Sequence, residues 1–167
     1  MTISSRRRRR LALVLFLLIP FVVGGLGSLS TAGNVEGWYA VANKAFWTPP
    51  NWVFGPVWTL LYVLMGISAW LVWREADSRW RRPGLALFIA QLVLNAIWTP
   101  IFFSGFPLWG RSAFWQGATI ICIMDALVLL TMIAFSRVRM LGAVLLIPYW
   151  AWLLYASTLN IYLAVNN

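Results

Sequence analysis

The sequence predicts an all-α, polytopic membrane protein, a single bundle of five transmembrane helices built from residues 1–167. Three observations carry that expectation. Hydrophobic residues make up 62% of the chain and charged residues 10%, where soluble domains run near ~45–50% and ~25%. A chain of this length cannot hide so much apolar surface in its own interior. The apolar residues gather into five runs, at about 11–30, 53–73, 84–103, 112–135 and 140–163, each long enough to cross a ~30 Å hydrocarbon layer. The charges lie between the runs and almost all on one side. Lipid offers the backbone no partners, so each run must bond to itself as a helix. The short alternating segments of a β-barrel are not seen.

The first run follows five arginines, Arg6 to Arg10. A basic start, an apolar stretch and small residues at Ser30 and Ala32 also resemble a cleavable leader. The apolar run, however, continues past Pro20 through Val23 to Leu26 and Leu29, which favours a retained span. Phosphate contact by Arg6–Arg10 is a weaker reading than membrane contact, because the arginines abut a span with no nucleic-acid-binding fold behind them. No nucleic-acid partner is expected.

Residues 31–52 form the longest segment outside the bilayer. They carry Trp38, Tyr39, Trp47 and Trp52 around Pro49-Pro50. Two prolines in series favour a stiff, extended segment. The loop reads as a lid, although interfacial Trp and Tyr also occur as plain membrane anchors. The triplet Trp-Thr-Pro recurs at 47–49 and 98–100, once in the loop and once in a span, and reads as coincidence.

Arg74, Arg79, Arg81 and Arg82 separate the second and third runs, and Arg137 and Arg139 separate the fourth and fifth. With Arg6–Arg10 these put eleven of the thirteen positive charges on one side, leaving Lys44 and Arg111 on the other. By the positive-inside rule the N-terminus is cytoplasmic and the C-terminus outside, as in a multi-pass protein of a bacterial inner membrane.

Residues three, four or seven apart share a helix face. That places Trp58 with Tyr62 on the second span, Gln91 with Asn95 and Trp98 on the third, and Tyr149 with Trp152, Ala156 and Asn160 on the fifth. Counting helix rise puts Trp58 ~8 Å, and Asn95 and Trp152 ~10–12 Å, below the outer face. The three faces thus meet in one layer under the loop. An aromatic chamber with a few amides and hydroxyls would suit a flat, mostly apolar ligand. Plain bundle packing, with Asn95 bridging helices, accounts for the same pattern equally well.

Asp125 is the sole acid within a span. At ~20 Å below the outer face it is assigned to a different layer from the chamber. It reads as structural, bonded to a neighbouring helix or neutral through burial, with a proton-relay role as the alternative. Ala86 and Ala90 form a small-xxx-small pattern on the third span, a candidate homodimer face. The chain has no histidine and one cysteine, Cys122, which excludes Ser-His-Asp triads, imidazole metal sites, His-ligated haem and a disulfide scaffold. No metal or cofactor is expected.

The stretch Trp38-Tyr39-Ala40, followed by Trp47-Thr48-Pro49-Pro50-Asn51-Trp52-Val53-Phe54-Gly55-Pro56-Val57-Trp58-Thr59-Leu60-Leu61-Tyr62, closely resembles the tryptophan-rich sensory protein/translocator protein family, also called peripheral-type benzodiazepine receptors. Gln91 to Asn95 with Trp98-Thr99-Pro100 resembles that family's third helix. Pro148-Tyr149, Trp152, Ala156 and Thr158-Leu159-Asn160 resemble its fifth. The resemblance implies a five-helix bundle, commonly dimeric, that binds porphyrins, sterols and synthetic ligands under the first long loop. It implies pocket or lid roles for Trp47, Trp58, Tyr62, Asn95, Trp98, Tyr149, Trp152 and Ala156. By the same likeness Trp58 and Trp152 would be ring-facing or redox-active, the catalytic pair if the porphyrin is degraded in light.

Three positions depart from the family pattern. No basic residue follows Tyr162, so sterol binding through the family's apolar-Tyr-basic motif is doubtful. Lys44-Ala45 stands where the family often has Lys-Pro, which loosens the loop. Arg6–Arg10 is unlike most members. The function expected first is binding of a protoporphyrin-like tetrapyrrole for sensing, scavenging or regulation. Light- or oxygen-dependent porphyrin breakdown ranks second, and transport of porphyrin or sterol third.

Overall fold

A computed structural model describes residues 3–31 and 33–167. Ala32, part of the leader reading, lies outside the described residues, as does the Ser30 side chain. Eight helices and no strand occur among the described residues: α1 (Ile3–Thr31), α2 (Trp38–Val41), α3 (Asn51–Trp73), α4 (Arg81–Phe103), α5 (Phe106–Trp109), α6 (Arg111–Ser136), α7 (Met140–Val144) and α8 (Ile147–Asn166). Five helical stretches are long and apolar enough to cross a membrane, with α7 and α8 together making the fifth. The expected all-α bundle of five spans is therefore present, and most helix ends fall close to the expected ones.

Three boundaries differ for local reasons. α1 begins at Ile3 rather than at residue 11, because arginine is a good helix former and Arg6–Arg10 continue the helix. The fifth run, expected as one helix, is broken after Val144. Pro148 has no N–H to donate to Val144 and disfavours helical backbone at Ile147. Leu146 N instead bonds to Ala143 O at 3.0 Å, a tighter turn, and Trp150 N to Leu146 O at 2.9 Å resumes the α-helical ladder. α4 starts at Arg81 rather than at residue 84, because Pro83 is suited to a first helical turn, whose N–H groups lack intrahelical partners. Pro20, Pro56 and Pro100 lie inside α1, α3 and α4 without ending them.

The helices close into a ring. α1 packs between α3 and α4, α4 against α6, and α6 against α7 and α8. α7 completes the ring by packing on α3, where the Ser68 hydroxyl donates to Gly142 O at 2.6 Å. α8, by contrast, makes little contact with α3. The ring is thus shut at the arginine end and spread apart at the loop end. The core follows suit: Met65, Val72, Phe135 and Leu146 are at most 1% exposed. The outward faces stay apolar, with Leu29 73% and Ile89 60% exposed. That is the surface of a bundle whose solvent is lipid.

Ala86 and Ala90 are exposed on α4, beside Ile89 and Val93. Arg111, at the start of α6, donates to Ala164 O (3.1 Å) and Val165 O (2.9 Å) and so caps the last turn of α8.

Candidate functional site

Where α3 and α8 diverge, a cavity of about 390 Å³ opens at the loop end of the bundle. Each wall comes from one helix face. α3 supplies Phe54, Trp58 and Tyr62, α4 supplies Asn95, Trp98 and Phe102, and α8 supplies Trp152, Ala156 and Asn160. The helical spacing that grouped these residues in sequence is the spacing that turns them to one side. Trp58 lies 5.2 Å from Tyr62 between ring centres, and Phe54 meets Trp152 edge-on at 5.7 Å. Trp98 stacks on Phe102 at 4.9 Å.

Polar groups hold the walls in place. The Trp98 indole donates to Asn160 Oδ1 at 3.1 Å, and Asn160 Nδ2 donates to Phe114 O at 3.0 Å. The Tyr149 hydroxyl donates to Gln91 Oε1 at 2.8 Å and accepts from Asn95 Nδ2 at 3.3 Å. Indole nitrogens satisfied within the bundle leave their ring faces as apolar surface. Trp152 Nε1 is buried and has no protein partner.

Of the eight residues singled out as pocket or lid positions, six line this cavity: Trp58, Tyr62, Asn95, Trp98, Trp152 and Ala156. Tyr149 does not. It is fully buried behind Asn95 and Gln91, where it props the amide that reaches the cavity. Trp47 does not line it either. Its indole donates to Thr158 Oγ1 at 3.1 Å, and its carbonyl accepts from the Tyr155 hydroxyl at 2.6 Å. Trp47 thus pins the loop to the flank of α8.

The loop is folded down rather than splayed. Trp38 sits among Phe102, Phe106 and Phe114 and donates to Phe103 O at 3.0 Å. Tyr39 reaches the cavity, and burial raises its pKa above the ordinary tyrosine value, with the nearby Tyr155 adding to the shift. Pro50 is extended, at φ −56° and ψ 145°, as the proline pair requires. Trp52 is 74% exposed and serves no wall, so only its interfacial reading fits.

Contributions from two helices have no counterpart in the sequence reading. α1 lines the cavity with Gly24, Gly27 and Ser28, and α6 lines it with Ile121 and Met124. The glycines of α1 are the signal that could have found its part, since small residues mark close helix approach. A Cβ on Gly24 would overlap the Tyr62 ring, so only glycine lets α1 close this side.

Asp125 needs correcting. The cavity reaches down to Met124, so Asp125 stands at the level of its floor rather than in a separate layer. It is on the α6–α8 seam, where Ser157 Oγ donates to its Oδ2 at 2.7 Å and Oδ1 is buried without a partner. The helix-to-helix bond is the structural arrangement expected of it. No group of three or more His, Cys, Asp or Glu is placed to hold a metal among the described residues.

The sequence matches the TspO/MBR family profile over residues 16–165. It is 40% identical over 160 residues to the tryptophan-rich protein TspO of Archaeoglobus fulgidus, covering 94% of this chain and 97% of that one. It is 38% identical over 147 residues to the human translocator protein, covering 87% and 83%. It is 34% identical over 146 residues to the tryptophan-rich sensory protein of Cereibacter sphaeroides, covering 87% of each.

Proposed function

The chain belongs to the TspO/MBR family, and we propose that it binds a protoporphyrin-like tetrapyrrole in the aromatic cavity at the loop end of the bundle. The supporting observation is the cavity itself, with indole and phenol rings on two facing helices, an amide at its floor and a size within the usual range for small-molecule sites. A flat macrocycle would stack on Trp58, Trp98 and Trp152, with Asn95 and Tyr62 setting its orientation. The absence of histidine favours a metal-free ring over a histidine-ligated one. Binding of this kind serves sensing, scavenging or regulation of porphyrins.

Titration with protoporphyrin IX should quench tryptophan fluorescence to saturation. Trp152→Leu and Asn95→Ala should each weaken it about tenfold, at ~1.4 kcal/mol for a lost stacking or hydrogen-bonding partner. Unchanged curves in both variants would remove the site.

A second reading has one observation in its favour. Trp58 and Trp152 both reach the cavity, from α3 and α8, so a bound ring would meet two oxidisable indoles. Light- and oxygen-dependent breakdown would then yield a product whose formation drops in the Trp58→Phe, Trp152→Phe double variant. Transport has no comparable feature. For topology, the arginine end is proposed to be cytoplasmic, which puts the cavity in the outer leaflet.

A further inference from the structure

At the opposite end of the bundle, arginines from three segments converge. Arg8 and Arg9 of α1, Arg74 after α3 and Arg81 of α4 surround Trp73 in a cleft of about 340 Å³. The segments are tied there by their own backbones. The Trp70 indole donates to Arg9 O at 3.1 Å, and Arg81 donates to Trp73 O at 3.3 Å. The Arg74 guanidinium lies 4.5 Å from the Trp70 ring, and its Nε is buried with no protein partner.

Among the described residues no acid is in salt-bridge contact with this cluster. Glu75 is taken by Arg139 at 2.8 Å, and among the described residues no carboxylate pairs with Arg8, Arg9, Arg74 or Arg81. Like charges lining one cleft repel one another, and an anion between them relieves that repulsion. Guanidinium groups suit a phosphate, which they grip with paired N–H donors.

The cleft does not end in polar surface. Arg8 and Trp73 are shared with an adjoining groove of about 380 Å³ that runs along α1 past Leu11 and Leu15. Those leucines are 57% and 60% exposed and sit on a membrane-spanning helix. A charged cradle therefore opens straight onto an apolar slot in the bilayer. A free phosphate would use only the first part, whereas a phospholipid would use both.

We infer that this cleft and groove hold one anionic phospholipid, its headgroup phosphate among Arg8, Arg9, Arg74 and Arg81 and its acyl chain along Leu11 and Leu15. The site is separate from the aromatic cavity and does not rest on porphyrin binding. A zwitterionic lipid carries its own cation beside the phosphate and gains less from the cluster.

Native mass spectrometry of the purified full chain in nonionic detergent tests this, with phosphatidylglycerol and phosphatidylcholine supplied at equal concentration. The expected result is one retained phosphatidylglycerol, preferred roughly tenfold or more over phosphatidylcholine. Arg74→Gln with Arg81→Gln should abolish the preference, and so should Arg8→Gln with Arg9→Gln. The second pair sits on the exposed first turns of α1 and keeps the test valid if the first pair fails to fold. Arg137→Gln, at the same end but outside the cleft, should retain it. Millimolar inorganic phosphate should not displace the lipid. Equal retention of both lipids, equal loss in Arg137→Gln, or displacement by inorganic phosphate would each overturn the assignment.

Discussion

Trp98 and Asn160 are joined by a 3.1 Å hydrogen bond, and the same asparagine amide reaches Phe114 O at 3.0 Å. One side chain of α8 thus fastens both α4 and α6 beside the cavity. Asn160→Ala would leave the indole N–H inside the bundle without its partner. The expected loss is about 1–3 kcal/mol of stability, read as a lower melting temperature in detergent. An unchanged melt would mean that water replaces the amide.

Gly117 makes that junction possible. A Cβ there would lie 3.0 Å from Asn160 Oδ1 and 3.1 Å from Phe102. Gly117→Ala should therefore destabilise by about 1–3 kcal/mol through overpacking. Because both changes disturb one junction, the Gly117→Ala and Asn160→Ala effects should be less than additive in a double-mutant cycle.

Gly24→Ala should drive the Tyr62 ring from its place and shrink the cavity, since the new Cβ overlaps that ring. Porphyrin quenching should weaken about tenfold or more, as expected when the reshaped wall forfeits ~1.4 kcal/mol. Adding Tyr62→Ala to Gly24→Ala should recover α1–α3 packing without restoring the ring contact. Melting temperature would then recover while affinity stays low.

Alkaline pH should expose the burial of Tyr39. Its pKa is raised in the fold, chiefly by burial and then by Tyr155, so the unfolded chain loses this proton first. Its contribution to stability is complete below the ordinary tyrosine value of ~10 and declines as pH rises toward the folded value. Tyr39→Phe should flatten part of the fall in melting temperature above pH ~10. An identical slope in the variant would count against it.

The α4 face bearing Ala86 and Ala90 is proposed as a homodimer contact, because both small residues are exposed where a second helix could approach. Ala86→Phe with Ala90→Phe should shift the protein toward the monomer in light scattering and crosslinking. A dimer of undiminished population would place the contact elsewhere.

The bundle was legible in the sequence because lipid imposes a simple demand, namely runs of about twenty apolar residues with charges between them. The cavity wall was legible on α3, α4 and α8 for a different reason. Trp58, Asn95 and Trp152 announce themselves by size or polarity, and helix rise alone puts them at one depth. Ile121 and Met124 carry no such mark and look like any lipid-facing or core residue, and Gly24 is marked only by the small-residue run of α1. Tyr149 shares a face with Trp152, yet it turns into the bundle and ends up behind Asn95. Periodicity gives a direction to within a quarter turn, and that is too coarse to separate a lining ring from a supporting one. The break at Val144 was readable from Pro148, but the unbroken apolar run masked it.

Behind the cavity wall the Tyr149 hydroxyl bridges Gln91 and Asn95, and toward the arginine end Met65, Val72 and Leu146 are packed with at most 1% exposure. A ligand bound as proposed would then come and go at the loop end alone, with packed side chains between it and the arginine end. A cell could carry many copies of such a protein without dissipating its proton gradient.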